Sequence, residues 1–356
     1  MKRNLRFLTA VSLALSLLIT AAFCPLQVMA QTGEPILQSA AKNTRPAALI
    51  PGGYPFGVKF TTQGVLVVGF RDITTENGSQ NPAKDAGIKL KDVIIALNDA
   101  PVDSAQALSD QISASGGSPV SVTYLRGENE MTATLTPVLD ENGAYRTGLY
   151  VRDSGAGIGT LTYIDPETLT FGGLGHGICD IDTGELMPVR RGNVVEVTVS
   201  GIKRGVAGNP GEIKGYFHTG KIGTLRQNCA CGVFGVLSEI PDGIENQAIP
   251  LGTRDEVHTG EAEILCTLSA NERRSYTVTL SAIDRDAKGS KCFSIQVTDP
   301  ALLEESGGII QGMSGSPVIQ DGKLIGAVTH VLISDPARGY GIFIENMLEQ
   351  MDNLAG

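Results

Sequence analysis

Residues 307–332 read GGIIQGMSGSPVIQDGKLIGAVTHVL, and the fold turns on how this stretch is read. Ser314 stands in Gly-x-Ser-Gly-x-Pro, and the residues after it, VIQDGKLIGAVTHV, alternate as two strands around an Asp321-Gly322 turn. Strand, glycine-rich turn and strand, without a helical repeat, predict a β architecture. A serine hydroxyl attacks a carbonyl only when a base takes its proton and N–H donors face the developing oxyanion. Glycines at 312 and 315 allow the backbone to turn its amides one way, which makes the N–H groups of Gly312 and Ser314 the candidate oxyanion donors. The plain alternative is a small residue in a tight turn.

A nucleophile needs a base, and the chain has four histidines, at 176, 218, 258 and 330. His176 lies in GGLGHG, where small neighbours leave an imidazole room beside a substrate, and it precedes the serine as in the chymotrypsin order. His330 is on the strand after Ser314, where such barrels place a wall of the specificity pocket, and is read as pocket lining. His218 and His258 sit in polar turns with nothing tying them to chemistry. The α/β-hydrolase elbow is excluded, because Ser316 replaces its second glycine and no helix pattern follows.

Outward from the site, residues 145–356 carry many short β-branched strands separated by glycines, which predicts a sandwich or a pair of barrels, and about two hundred residues is a suitable length for a double β-barrel. Residues 49–140 form a second unit: the strand GVLVVGF, the turn-rich ITTENGSQNPAKDAG, the strand DVIIALNDAPV and a helix opening at Ser104. PAKDAGIKLKDVIIALNDAPV resembles the PDZ domain, with Lys91 where that family usually has glycine. The resemblance implies peptide binding by strand addition, with the terminal carboxylate held by a glycine-containing loop. Pro55-Phe56-Gly57-Val58 stands where that loop is expected. The plain alternative is a spacer.

The N-terminus places Lys2, Arg3 and Arg6 before an apolar run from Phe7 to Phe23 and a small-residue site at Val28-Met29-Ala30. Residues 1–30 are therefore a signal peptide or a membrane anchor, and residues 31–48 a flexible tether, so the remainder works across a membrane. Phe23 before Cys24 argues against a lipoprotein. Beyond Ala30 the cysteines 179, 229, 231, 266 and 292 are odd in number and unevenly spaced, so they read as small apolar side chains rather than a disulfide framework or a zinc site. A net charge of −10 without a basic cluster argues against nucleic acid as a partner. No metal or cofactor is expected.

IPGGYPFGVKF, FGGLGHGICDIDTG and VTDPALLEESGGIIQGMSGSPVIQDGKLIGAVTHV, in this order, resemble the stage IV sporulation protein B peptidase family of endospore-forming Firmicutes. The resemblance implies a mainly β chain with a chymotrypsin-like double β-barrel, a serine endopeptidase with His176 as base, Ser314 as nucleophile and Asp299 as the acid. By residue type alone, Asp299 before Pro300 is equally a helix N-cap, and Asp242 and Asp255 stay in reserve for the acid. The resemblance also implies self-cleavage near the N-terminus. It implies a cut in a membrane-bound regulator that leads to activation of a late mother-cell sigma factor, between the forespore and mother-cell membranes. The competing reading is a catalytically inactive PDZ-containing scaffold that captures peptides.

Overall fold

A computed structural model describes residues 46–269 and 272–352. The expectations for residues 1–30 and for the tether up to residue 45 lie outside the described residues. Among the described residues no helix is long and apolar enough to cross a membrane. The chain folds as two β-barrels and a PDZ unit, each with its own apolar core, and most of it is strand.

Strand β1 (Ala48–Pro51) leads into β2 (Pro55–Phe70), whose Phe56, Val58 and Phe60 point inward at alternate positions. The chain then makes the hairpin β3 (Ile73–Thr75) and β4 (Gly78–Gln80), helix α1 (Pro82–Asp85), β5 (Val93–Leu97) and β6 (Ala100–Pro101). Helix α2 (Ala105–Ala114), β7 (Val120–Arg126), β8 (Asn129–Leu135), β9 (Val138–Leu139) and β10 (Tyr145–Arg146) complete the PDZ unit. The Ser104 hydroxyl accepts from the Ala107 N–H and starts α2 as expected. Lys91 adopts φ +76°, the left-handed conformation that glycine supplies elsewhere in the family.

Strands β11 (Leu149–Ile164), β12 (Thr170–Gly173), β13 (Val189–Lys203), β14 (Glu212–Cys229) and β15 (Gly232–Leu237) return to β2. Pairing runs β2–β11–β12–β15–β14–β13 and back to β2, which closes the first barrel. Its core is Phe56, Val58, Phe60, Phe171, Val194 and their neighbours. Each large apolar side chain fully buried there contributes about 1.5–3 kcal/mol.

This closure moves the domain boundary drawn at residues 140–145. Residues 55–62 belong to the first barrel, because their neighbours on either side are β11 and β13. The PDZ unit is therefore an insertion between the barrel strands β2 and β11, not a separate module ahead of them. A hydrophobic alternation marks a strand but carries no information about a partner ninety residues away, so the two were merged in the sequence.

After β16 (Ile249–Pro250), which pairs with β1, the second barrel is built from β17 (Gly260–Thr267), β18 (Arg273–Ser281), β19 (Phe293–Val297), β20 (Pro317–Gln320), β21 (Lys323–Leu332) and β22 (Asp335–Phe343). They close in the order β17–β18–β19–β22–β21–β20. Helix α3 (Pro300–Ser306) links β19 to the serine turn, and α4 (Ile344–Asp352) follows β22. The β20–β21 turn at Asp321 and Gly322, with φ +52° and +74°, is the expected tight hairpin.

Candidate active site

The serine turn lies at the junction of the barrels. Gly315 has φ +97°, and a Cβ there would stand 2.0 Å from the Thr160 carbonyl oxygen and 2.5 Å from the Leu174 nitrogen. Only glycine lets the turn from the second barrel press so closely on the backbone of the first. Thr160 fixes the turn from below: its N–H donates to the Ser314 carbonyl at 3.0 Å and its hydroxyl to the Gly312 carbonyl at 2.7 Å.

The surrounding amides are spent unevenly. The Met313 N–H donates to Ile310, that of Gly315 to Val328 and that of Ser316 to Met313. The N–H groups of Gly312 and Ser314 have no acceptor among the described residues. With Gly312 at φ +98°, these are the two donors that an oxyanion hole requires.

His176 follows Leu174 and Gly175, both with φ +66°, in the loop after β12. His176, Ser314, Gly312 and His330 line one cavity of about 780 Å³, with Ile158, Leu186 and Ile309 among its apolar walls. His176 Nδ1 lies 2.9 Å from the Gly177 carbonyl oxygen; with the proton on Nδ1 donating there, Nε2 keeps its lone pair. Burial holds the imidazole below its ordinary pKa, against the opposing pull of the Gly177 carbonyl, and so favours the neutral form a base needs. In this conformer the Ser314 hydroxyl donates to the Thr329 carbonyl at 2.8 Å.

His330 lines the cavity from β21, its ring centroid 5.0 Å from that of His176. Its Nδ1 is buried without a partner, and burial, with the neighbouring His176 and Lys291, pushes its pKa down to about 4. His218 pairs with the Thr198 hydroxyl at 2.8 Å and His258 with Asp321 at 2.9 Å, both outside this cavity.

Asp299 is placed elsewhere. It is the N-cap of α3, accepting from the N–H groups of Ala301 at 2.8 Å and Leu302 at 3.2 Å, while its second oxygen accepts from the Thr277 N–H at 3.2 Å. The structure does not bring it to His176, and the reason is the competing demand of the helix terminus. Asp242 borders a groove beside His218, and the exposed Asp255 lies 4.0 Å from Arg285. Among the described residues no carboxylate lines this cavity, and the His176 imidazole is oriented by a backbone carbonyl.

Pro55-Phe56-Gly57-Val58 is likewise not a peptide-binding edge. These residues pair with Ile158–Thr160 and their neighbours on one side and with Val194–Glu196 on the other, so neither edge can take a further strand. Thr160 and the Thr329 carbonyl were missed in the sequence, since a threonine inside a strand gives no local sign of the turn it supports.

The chain has partial, remote likeness to several solved structures. The PDZ domain of an SdrC-like protein from Listeria monocytogenes is 22% identical over 26% of this chain and 90% of that chain, with a TM-score of 0.21. An HtrA-type protease, AlgW, with a tripeptide is 14% identical over 56% of each chain, at 0.33. A protease from M. tuberculosis in its active form is 15% identical over 55% of this chain and 73% of that one, at 0.31. No curated protein matches the chain. A PDZ domain model matches residues 57–136. A double β-barrel that brings serine, histidine and two free amides into one cavity is the architecture of a serine endopeptidase. The model of the SpoIVB peptidase S55 family matches residues 143–348, more than half of the chain, and the chain belongs to that family.

Proposed function

We propose that this serine endopeptidase works outside the cytoplasm, cleaves itself near its N-terminus and cuts a membrane-bound regulator during sporulation signalling, which leads to activation of a late mother-cell sigma factor. His176 takes the proton of Ser314 through Nε2, and the N–H groups of Gly312 and Ser314 receive the oxyanion. Reaction requires the Ser314 hydroxyl to leave the Thr329 carbonyl for His176. The observation that carries the chemistry is the pair of unspent amides beside a serine that shares its cavity with a buried imidazole. The family membership and the basic residues before the apolar run Phe7–Phe23 support the signalling role.

A fluorophosphonate is expected to label wild type at Ser314, and Ser314→Ala should neither label nor cleave. Losing the bond to Thr329 costs that variant only about 1 kcal/mol of stability. N-terminal sequencing of both proteins from one host tests self-cleavage: a shortened wild type beside a longer Ser314→Ala is expected. Identical ends in the two would assign the cut to another protease.

A further inference from the structure

The walls of the catalytic cavity fix which residue can precede the cut. A peptide whose carbonyl oxygen rests on the Gly312 and Ser314 amides, with its leaving nitrogen beside His176, lays the side chain before the cut between two of those walls. One is Ile309-Ile310-Gln311, the run that leads into the oxyanion donors; the other is Thr329-His330-Val331 of β21. The His330 ring lies beside that of His176, 5.0 Å away, which leaves the depth of this pocket to other residues.

The depth is set by Ile309. It is 2% exposed, and its side chain reaches β22, where Gly339 stands opposite Val331. A Cβ on Gly339 would lie 2.6 Å from Ile309 Cδ1 and 2.5 Å from the His330 carbonyl oxygen, so the tip of Ile309 rests directly on bare backbone. Behind it the two segments touch. The Ile309 N–H donates to the Pro336 carbonyl at 2.8 Å, and a Cβ at Gly308, with φ +128°, would stand 2.2 Å from that same oxygen. The wall is held on its other flank as well, by the Gln311 N–H on the Gly211 carbonyl and the Ile213 N–H on the Gln311 carbonyl, both at 2.8 Å. A segment bonded on both sides does not swing aside for a large guest, and space filled by a packed aliphatic side chain does not admit an aromatic ring.

Charge is excluded on separate grounds. Among the described residues no Asp, Glu, Lys or Arg lines the cavity, whose sides include Ile158, Leu174, Ile178, Leu186 and Val331. An ammonium or carboxylate placed there would lose its water and find no opposite charge. The whole cavity holds about 780 Å³, room for several residues of an extended peptide, so the restriction falls on the one position beside the nucleophile.

We propose that Ile309, seated on Gly339, closes the pocket for the residue before the cut, so that the enzyme cleaves after small aliphatic side chains, alanine or valine, and not after aromatic or charged ones. This names the substrate class of the Ser314 site and rests on the serine peptidase reading.

The test uses the full chain and a set of acetyl-Ala-Ala-Xaa diphenyl phosphonates, with alanine, valine, phenylalanine, lysine or glutamate at Xaa. In each reaction the Ser314 oxygen bonds to phosphorus and phenol leaves with the serine proton, while the Xaa side chain occupies the pocket. Wild type is expected to react with the alanine and valine reagents about tenfold faster, or more, than with the other three. In Ile309→Ala the phenylalanine-to-alanine rate ratio, taken within each protein so that changes in basal rate cancel, should rise by roughly tenfold. Ile309→Val removes only the Cδ1 that meets Gly339; it should raise the same ratio by about threefold and decides the matter if Ile309→Ala does not fold. Equal rates across the set, or faster reaction of the aromatic or charged reagents with wild type, overturn the pocket. An unchanged ratio in the folded variant overturns the assignment to Ile309. A wild type that a small fluorophosphonate also leaves unlabelled rejects the peptidase reading, and the pocket with it, whereas fluorophosphonate labelling without side-chain selectivity rejects the pocket alone.

Discussion

Asp299 gives both carboxylate oxygens to backbone N–H groups, and this sets the outcome of replacing it. In Asp299→Asn the amide oxygen still caps α3, while the contact with the Thr277 N–H is lost, at a cost of about 1 kcal/mol. Turnover is expected to stay within about twofold, whereas loss of a triad acid costs on the order of 10⁴ in kcat. Measuring kcat and the thermal midpoint of this one variant separates the two. His176 and His330 set the response to pH. The acid limb of labelling should have its midpoint below the ordinary histidine value of about 6.5, since burial depresses His176; a midpoint at or above 7 contradicts this. Stability should also fall on acidification. In the unfolded chain both imidazoles take protons near pH 6.5, whereas in the fold His330 resists until about pH 4. Across that window the unfolded state binds more protons, so the fold loses stability as pH drops; above it the stability is fully present. Chemical denaturation at pH 7 and pH 4.5 checks the sign.

Strand β11 is the element on which the site depends, because Thr160 anchors the carbonyls of both Gly312 and Ser314. Thr160→Val keeps the volume and removes the bond to Gly312. It is expected to cost about 1 kcal/mol and to slow labelling roughly ten- to hundredfold, with KM nearly unchanged. A variant that labels at the wild-type rate removes Thr160 from the positioning of the turn. Elements of this kind divide the legible from the illegible. The serine turn could be read because Gly312, Ser314, Gly315 and the Asp321-Gly322 turn encode it within a dozen residues. The histidine could be read from its small neighbours. Thr160, the true place of Pro55–Val58 and the lack of an acid beside His176 among the described residues are set by pairings between distant segments, and a period of two looks the same whichever strand lies alongside.

At the scale of the molecule, β2 and β11 are one long antiparallel hairpin in which the PDZ unit takes the place of the turn, since the pair runs from Leu149↔Phe70 to Thr160↔Pro55. A fragment beginning at residue 143 contains the whole match to the peptidase family but lacks one strand of its first barrel. It is expected to stay unfolded, while a fragment from residue 46 folds; circular dichroism and thermal melting of the two decide the matter. The same nesting governs the order of assembly. Bringing two segments together across a flexible loop costs more as the loop lengthens, and here residues 71–148 lie between them. A folded insert abolishes most of that cost by holding Leu66–Phe70 and Leu149–Arg152 side by side, ready for the rest to zip toward Pro55. For a chain that emerges from a membrane pore N-terminus first, the PDZ unit can mature while the rest is still in transit. The first barrel must wait for β15, and the nucleophile arrives later still. On the proposed export route the enzyme would thereby stay inert throughout its delivery, timed by nothing more than the order of its residues.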